Sequence, residues 1–309
     1  NRISFGMQDF DFNVQRRVNR EQPAELFKQI LTKEVRKVYK EIAFDFLIGL
    51  PGQTTESIAI TCDKIIELKP TLVQLSLMAY KPWVAKYQIQ MLAEGPLPDF
   101  FERKELLEII HKKLSARGYI RSGFECYSLP DSPMTKAFED GTAHYGASGH
   151  QTGGPVNFIA VGSSATSNLG DDYYSQNFYD ITSYKKFLDQ GKLPTFRGIK
   201  LSKDDQIRQH ATQQLRSYFK IDFKNFEKNF GVDIKEYFSK EIEYLDGMIK
   251  DGLVIVSDDG IEMTLLGRDF SQNISNVFDK YDPPAKSYNE RLATIKKAKA
   301  EQAKLQELI

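Results

Sequence analysis

Asp45 is the residue of this chain whose type and position most demand a chemical explanation. It lies inside the apolar run IAFDFLIGL (residues 42–50), where an unpaired carboxylate is costly and needs a cationic or hydrogen-bonding partner. Arg20, in the VNR turn upstream, is the natural candidate, and Gln8 closes the earlier run RISFGMQ. The pair Arg20 and Asp45 could be a structural ion pair tying a loop to the core. Alternatively they could face a ligand together with Gln8, which closes a strand, and spacing alone leaves both readings open.

Other residues with chemical potential are few. Cys62 and Cys126 are the only cysteines, far apart and outside any CxxC or Cys/His spacing, so neither a disulfide framework nor a zinc site is suggested and a reducing cytoplasm is expected. Cys62, within TTESIAITCDKIIEL, reads as a buried thiol on a helix. His144 and His150 are two of four histidines and fall in a stretch from Pro130 to Pro155 rich in Gly, Ser, Asp and Thr. Such a polar connection is usually functional or mobile. Gly162, in VGSSATS, lacks the GxGxxG context or Walker lysine of a phosphate loop.

The elements that must position these residues alternate from Arg2 to about Ala165. RISFGMQ, IAFDFLIGL, LVQLSLMAY, YIRSGFECYSL and VNFIAVGSSA read as strands, and AELFKQILTKEVRKVY, ESIAITCDKIIEL and FFERKELLEIIHKKLSARG as helices between them. That alternation implies βαβ crossovers, a parallel sheet and part of a (β/α) barrel, in which ligand-facing residues sit at C-terminal strand ends. After Asn177 the pattern turns helical: SYKKFLDQGKL, then LSKDDQIRQHATQQLRSYF with Ser202 as N-cap and Asp205 three residues on. FKNFEKNFG and IKEYFSKEIEYLDGMIKDG continue as helices, and LVIVS and IEMT flank the turn DDG, as in a winged helix. The expected divisions are 1–180, 181–282 and a charged helical or disordered tail over 283–309 that follows Pro283-Pro284.

Charge limits the partners. The chain has 309 residues with 42 basic and 42 acidic side chains, which removes the electrostatic case for nucleic acid. Between Gly231 and Phe270 four Lys or Arg against ten Asp or Glu leave 4 − 10 = −6, the wrong sign for a winged helix that grips phosphates. No run approaches the roughly 18 apolar residues of a membrane span, and no signal peptide is visible.

Taken in order, NRISFGMQDF, VNREQ, IAFDFLIGLPGQT, LSKDDQIRQ, YFSKEIEYL, KDGLVIVSDDGIEMTLLGR and NISNVFDKY resemble the oxygen-independent coproporphyrinogen III oxidases, radical S-adenosylmethionine enzymes of haem biosynthesis. The resemblance implies an α/β fold, a partial radical S-adenosylmethionine barrel followed by a mostly helical, winged-helix-like domain. It also implies S-adenosylmethionine, as one or two molecules, contacted by Gln8, Arg20, Asp45, Ala79 and Thr166. The implied reaction is decarboxylation of two propionates of coproporphyrinogen III to vinyls, giving protoporphyrinogen IX. A 5′-deoxyadenosyl radical would start it, with electrons from a donor such as a flavodoxin or ferredoxin, in an enzyme expected to be a monomer.

The family's [4Fe–4S] cluster sits on a CxxxCxxC-type motif that this chain does not contain. Since Asn1 opens directly into a strand, the natural protein is expected to begin earlier, and this portion is expected to be inactive by itself. No catalytic residue is assigned. Departures from the family fall where substrate is implied: GFECYS replaces a GMDHFA-like segment, and HYGASGH keeps His144 but loses the following Arg and aromatic. Glu125, Cys126 and His144 are the substrate-binding candidates. The altered segments leave two alternatives, a related enzyme acting on another tetrapyrrole and a haem-binding chaperone of the same superfamily.

Overall fold

The computed structural model describes residues 1–80, 88–146, 149–153, 157–170 and 172–281. Two compact units divide between Glu139 and Asp140. The boundary expected near residue 180 lies inside the second unit, and the tail from 283 lies outside the described residues. No helix among the described residues is long and apolar enough to cross a membrane.

In the first unit, strands β1 (Arg2–Gln8), β2 (Glu41–Ile48), β3 (Leu72–Leu77), β4 (Ile120–Arg121) and β5 (Cys126–Ser128) form one sheet in the order β1-β2-β3-β5-β4. β1, β2 and β3 run parallel; β5 is antiparallel to β3 and β4 to β5. Helices α1 (Phe12–Arg17), α2 (Ala24–Ile30), α3 (Lys33–Val38), α4 (Thr55–Leu68), α5 (Gln88–Ala93), α6 (Phe100–Ser115) and α7 (Pro133–Glu139) connect or follow them. Alternation along the strands sends Phe44, Phe46, Ile48, Val73, Leu75 and Tyr127 to one face, where they pack on Phe27 of α2, Ile58, Cys62 and Ile65 of α4, and Leu106, Ile110 and Leu114 of α6. Each such side chain contributes about 1.5–3 kcal/mol when fully buried. Capping boxes start the two long helices: Thr54 with Ser57 for α4, and Asp99 with Glu102 for α6.

Three expectations are corrected here. AELFKQILTKEVRKVY is not one helix, because the Thr32 hydroxyl accepts from the Val35 N–H and starts α3 anew. YIRSGFECYSL is not one strand: left-handed Gly123 (φ 123°) and Glu125 (φ 55°) fold it back between β4 and β5. The sheet is therefore mixed, and among the described residues it does not close into a barrel. In VNFIAVGSSA, Phe158 makes a single bridge to Asn168. The Gly162 and Ser164 N–H groups bond the Tyr184 hydroxyl and the Phe178 carbonyl, so the segment belongs to the second unit instead of extending the first sheet.

The second unit contains the hairpin β6 (His144–Gly146) and β7 (Gly149–Gln151), then an antiparallel sheet of β8 (Thr166–Leu169), β9 (Tyr173–Asn177) and β10 (Thr195–Lys200), with helix α8 (Ile181–Asp189) between the last two. Helix α9 (Lys203–Tyr218) begins at Ser202 with the expected Asp205 capping box. Strands β11 (Lys220–Asp222), β12 (Val254–Val256) and β13 (Gly260–Met263) pair in the order β11-β13-β12. Helices α10 (Phe223–Phe230), α11 (Ile234–Tyr237), α12 (Ser239–Tyr244), α13 (Asp246–Lys250) and α14 (Ser271–Asn276) complete the unit. Ile207, Ala211 and Leu215 of α9 pack with Phe226, Phe238, Ile261 and Phe278 into its core. Thus the helix-then-hairpin pattern does produce a wing, widened by β11. Gly260 is required at the turn, since a Cβ there would collide with the Ile221 carbonyl oxygen.

Candidate functional site

The face of the first sheet opposite the helices mixes polar residues with Ala43, Leu47 and Leu72. Register places Gly6, Asp45, Gln74 and Cys126 in one row across four strands, and the two-residue repeat adds Arg2, Ser4, Glu41, Ser76 and Ser128 to that face. Arg2 Nε lies 2.9 Å from Glu41 Oε1, pairing the row's N-terminal end. Asp45 is half-buried and accepts one hydrogen bond, from Ser4 Oγ at 3.4 Å, long for a hydroxyl donor. Burial pushes its carboxyl above the ordinary range, opposed by the Ser4 bond and the Arg2 charge.

Gln8 and Arg20 reach this row because Gly6 has no side chain. A Cβ on Gly6 would stand 2.6 Å from Gln8 Nε2 and 3.1 Å from Arg20 Nη2. Gln8 itself adopts the left-handed conformation (φ 59°) where the register of β1 shifts. Arg20 Nη2 donates to the Gly6 carbonyl at 2.9 Å and its Nε to Gln22 Oε1 at 2.7 Å. Gln8, Arg20 and Asp45 are therefore brought together around Gly6, but the Arg20–Asp45 ion pair, one of the two readings left open, does not form: the backbone carbonyl and Gln22 hold the guanidinium instead.

Ala79 follows the C-terminal end of β3, exposed, its carbonyl accepting from Gln88 Nε2 at 3.2 Å. Because β1 and β3 are parallel, Ala79 and Gln8 lie at the same end of the sheet. Thr166 opens β8 in the second unit and pairs with Gln176. Glu125 occupies the β4–β5 turn, where its carbonyl accepts from the Leu75 N–H at 2.7 Å. Cys126 is fully buried, its Sγ 3.5 Å from Ser122 Oγ, and burial pushes its thiol up to about 12. It is a neutral thiol at physiological pH and lacks the ionised form a nucleophile needs. Ser122, Ser128 and Thr135 continue from it as a chain of hydroxyl contacts of 2.6 Å each. His144 is buried in the second unit with Nε2 3.3 Å from Gln213 Nε2, and the wholly buried His150 packs its ring edge-on against Tyr145.

Sequence reasoning missed Asp9. It is fully buried and accepts from Thr61 Oγ1 at 2.6 Å, Gln53 Nε2 at 2.6 Å and the Asp11 N–H at 2.8 Å. Burial still pushes its carboxyl above the ordinary range. Gln53 in turn accepts from the Gly49 and Leu50 N–H groups and donates to the Leu47 carbonyl. This clamp ties the loop after β2 to the end of β1, and the available signal was an acid directly after Gln8 together with the Gln of GLPGQT. A cavity of about 570 Å³ lies near it, lined by Asp11, Arg16, Arg17, Gly52 and Thr54 among others, and by none of the expected site residues. Among the described residues no group of three His, Cys, Asp or Glu could hold a metal ion.

Comparison with known proteins agrees with this fold. Residues 201–270 match the HemN C-terminal domain. The oxygen-independent coproporphyrinogen III oxidase of Pseudomonas aeruginosa is 36% identical over 92% of this chain and 61% of that protein, and the one of Helicobacter pylori 34% identical over 91% and 61%. The solved coproporphyrinogen III oxidase (HemN) from Escherichia coli, a radical SAM enzyme, superposes with a TM-score of 0.81 at 32% identity, covering 91% of this chain and 64% of that one. The chain spans about three fifths of the length of the curated relatives it matches. It is similar to the oxygen-independent coproporphyrinogen III oxidases over about three fifths of their length, and its residues 201–270 match the HemN C-terminal domain.

Proposed function

We propose that the protein containing this chain oxidises coproporphyrinogen III without oxygen, converting two propionate side chains to vinyls with loss of carbon dioxide to give protoporphyrinogen IX. The relatives' names support the substrate. The observation that carries the reading is the convergence of Gln8, Arg20 and Asp45 around Gly6 on a half-open face.

That cluster fits S-adenosylmethionine, a zwitterion bearing a sulfonium and a ribose. Arg20 has guanidinium donors beyond the two used internally and would take the carboxylate. Asp45 is under-satisfied and would take a cationic or hydroxyl group, which would favour its ionised form. Gln8 adds an amide and Ala79 an accessible main chain; the role of Thr166 rests on the family resemblance alone. Bound S-adenosylmethionine would supply the one-electron chemistry that removes a hydrogen atom from the substrate. The residues of this chain bind and orient. The iron–sulfur cluster would use thiolates outside it, and a flavodoxin or ferredoxin would deliver the electrons.

Anaerobic turnover of coproporphyrinogen III by the full-length protein tests this reading, following carbon dioxide and protoporphyrinogen by mass. Product formed together with 5′-deoxyadenosine is expected. Deoxyadenosine without that product would point to another tetrapyrrole, and haem binding with neither product to a chaperone.

A further inference from the structure

The antiparallel sheet of the second unit holds a cation that the proposed reaction can use. Its register sets Thr166, Gln176 and Arg197 side by side on β8, β9 and β10, so the three side chains leave the same face. Arg197 Nε donates to Gln176 Oε1 at 3.0 Å, and Nη2 donates to the Tyr179 hydroxyl oxygen at 3.0 Å. The Tyr179 hydroxyl donates in turn to Gln176 Oε1 at 2.7 Å, and its ring flanks the guanidinium at 6.0 Å. Both partners are neutral. Among the described residues no carboxylate stands within ion-pair distance of Arg197, and the residue is exposed.

A guanidinium oriented by two neutral groups keeps its charge unanswered and part of its donor fork open. Exposed Phe196 and Tyr179 stand beside it in edge-on contact, so the surface pairs a carboxylate-seeking cation with aromatic rings. That combination suits a tetrapyrrole, which is apolar across its rings and carboxylated at its rim. We infer that Arg197 binds a propionate carboxylate of coproporphyrinogen III, with Gln176 and Tyr179 as its positioning residues. The inference rests on the proposed function and supplies the cation missing from HYGASGH.

The test is equilibrium binding of coproporphyrin III, the stable oxidised form with the same four carboxylates, to the full-length protein, beside KM for coproporphyrinogen III. Arg197→Gln is expected to weaken binding and raise KM by about tenfold to a hundredfold, the range of a lost charge-assisted hydrogen bond. S-adenosylmethionine affinity and Tm should stay unchanged. Arg197→Lys should recover part of the loss, since it keeps the charge without the planar fork. Wild-type binding matched by Arg197→Gln overturns the inference alone. Wild-type protein that neither binds coproporphyrin III nor turns over the substrate overturns the proposed function with it.

Discussion

Asp9 and Asp45 lie on or just after neighbouring strands of the first sheet, and burial pushes both carboxyls above the ordinary range. Asp9 accepts three hydrogen bonds of 2.8 Å or less, whereas Asp45 accepts one at 3.4 Å. A carboxylate saturated by its own protein has no capacity left for a ligand, and its energy goes into holding the loop after β2. A carboxylate left under-satisfied on a half-open face costs stability unless something else answers it. The difference makes Asp9 framework and is what the ligand-facing role proposed for Asp45 requires.

The largest expected effect that could break this comparison is on stability. Asp9→Ala strands the Thr61 hydroxyl, the Gln53 amide and the Asp11 N–H, and should cost about 3 kcal/mol or more in urea unfolding. Asp45→Ala should cost under about 1 kcal/mol, and an equal loss at both sites would end the distinction. Thr61→Val removes one donor from the clamp and the acceptor of the buried Phe10 N–H, and should cost about 2 kcal/mol while leaving cofactor affinity alone. Next comes ligand binding. Asp45→Asn and Arg20→Ala in the full-length protein should each weaken S-adenosylmethionine binding about tenfold or more by calorimetry, some 1.4 kcal/mol. Normal affinity with only a lowered Tm would return both residues to a structural role.

The smallest effect is on pH dependence. A carboxyl whose folded value is raised binds a proton more tightly folded than unfolded. From the unfolded value of about 4 up to the raised folded value, stability must therefore fall as pH rises. Asp9→Asn should remove part of that slope, and Asp45→Asn a smaller part because Asp45 is more exposed. Urea unfolding repeated from about pH 4 upward reads this directly, and identical slopes in wild type and Asp9→Asn would contradict the buried-carboxylate account.

The local elements were largely legible because their signals are local. RISFGMQ, IAFDFLIGL and LVQLSL became strands through β-propensity and alternation, and the caps at Thr54, Asp99 and Ser202 start helices through side chains three residues from their partners. Gln8, Arg20 and Asp45 were readable as a group from type, position and resemblance. That Arg20 would bond the Gly6 carbonyl and not Asp45 was not readable, because Gly6 and Asp45 face each other only through the β1–β2 register. The hairpin in YIRSGFECYSL was hidden for a related reason: Glu125 holds a left-handed backbone that its residue type does not advertise.

What the amino-acid order determined by itself is the alternation of apolar and polar positions, the helix starts, the wing turn at Asp259-Gly260 and the scarcity of thiols, all properties of neighbours in the chain. The tertiary structure alone decided which carboxylate is saturated, which guanidinium keeps an unanswered charge, and which thiol is sealed from ionisation. For the carboxylates the deciding hydrogen bonds join residues 41 to 52 positions apart, such as Ser4 to Asp45 and Thr61 to Asp9, and for Arg197 residues 18 and 21 apart. A donor's identity is written in the sequence, but whether it meets an acceptor is settled only when strand register and helix packing bring the two within reach.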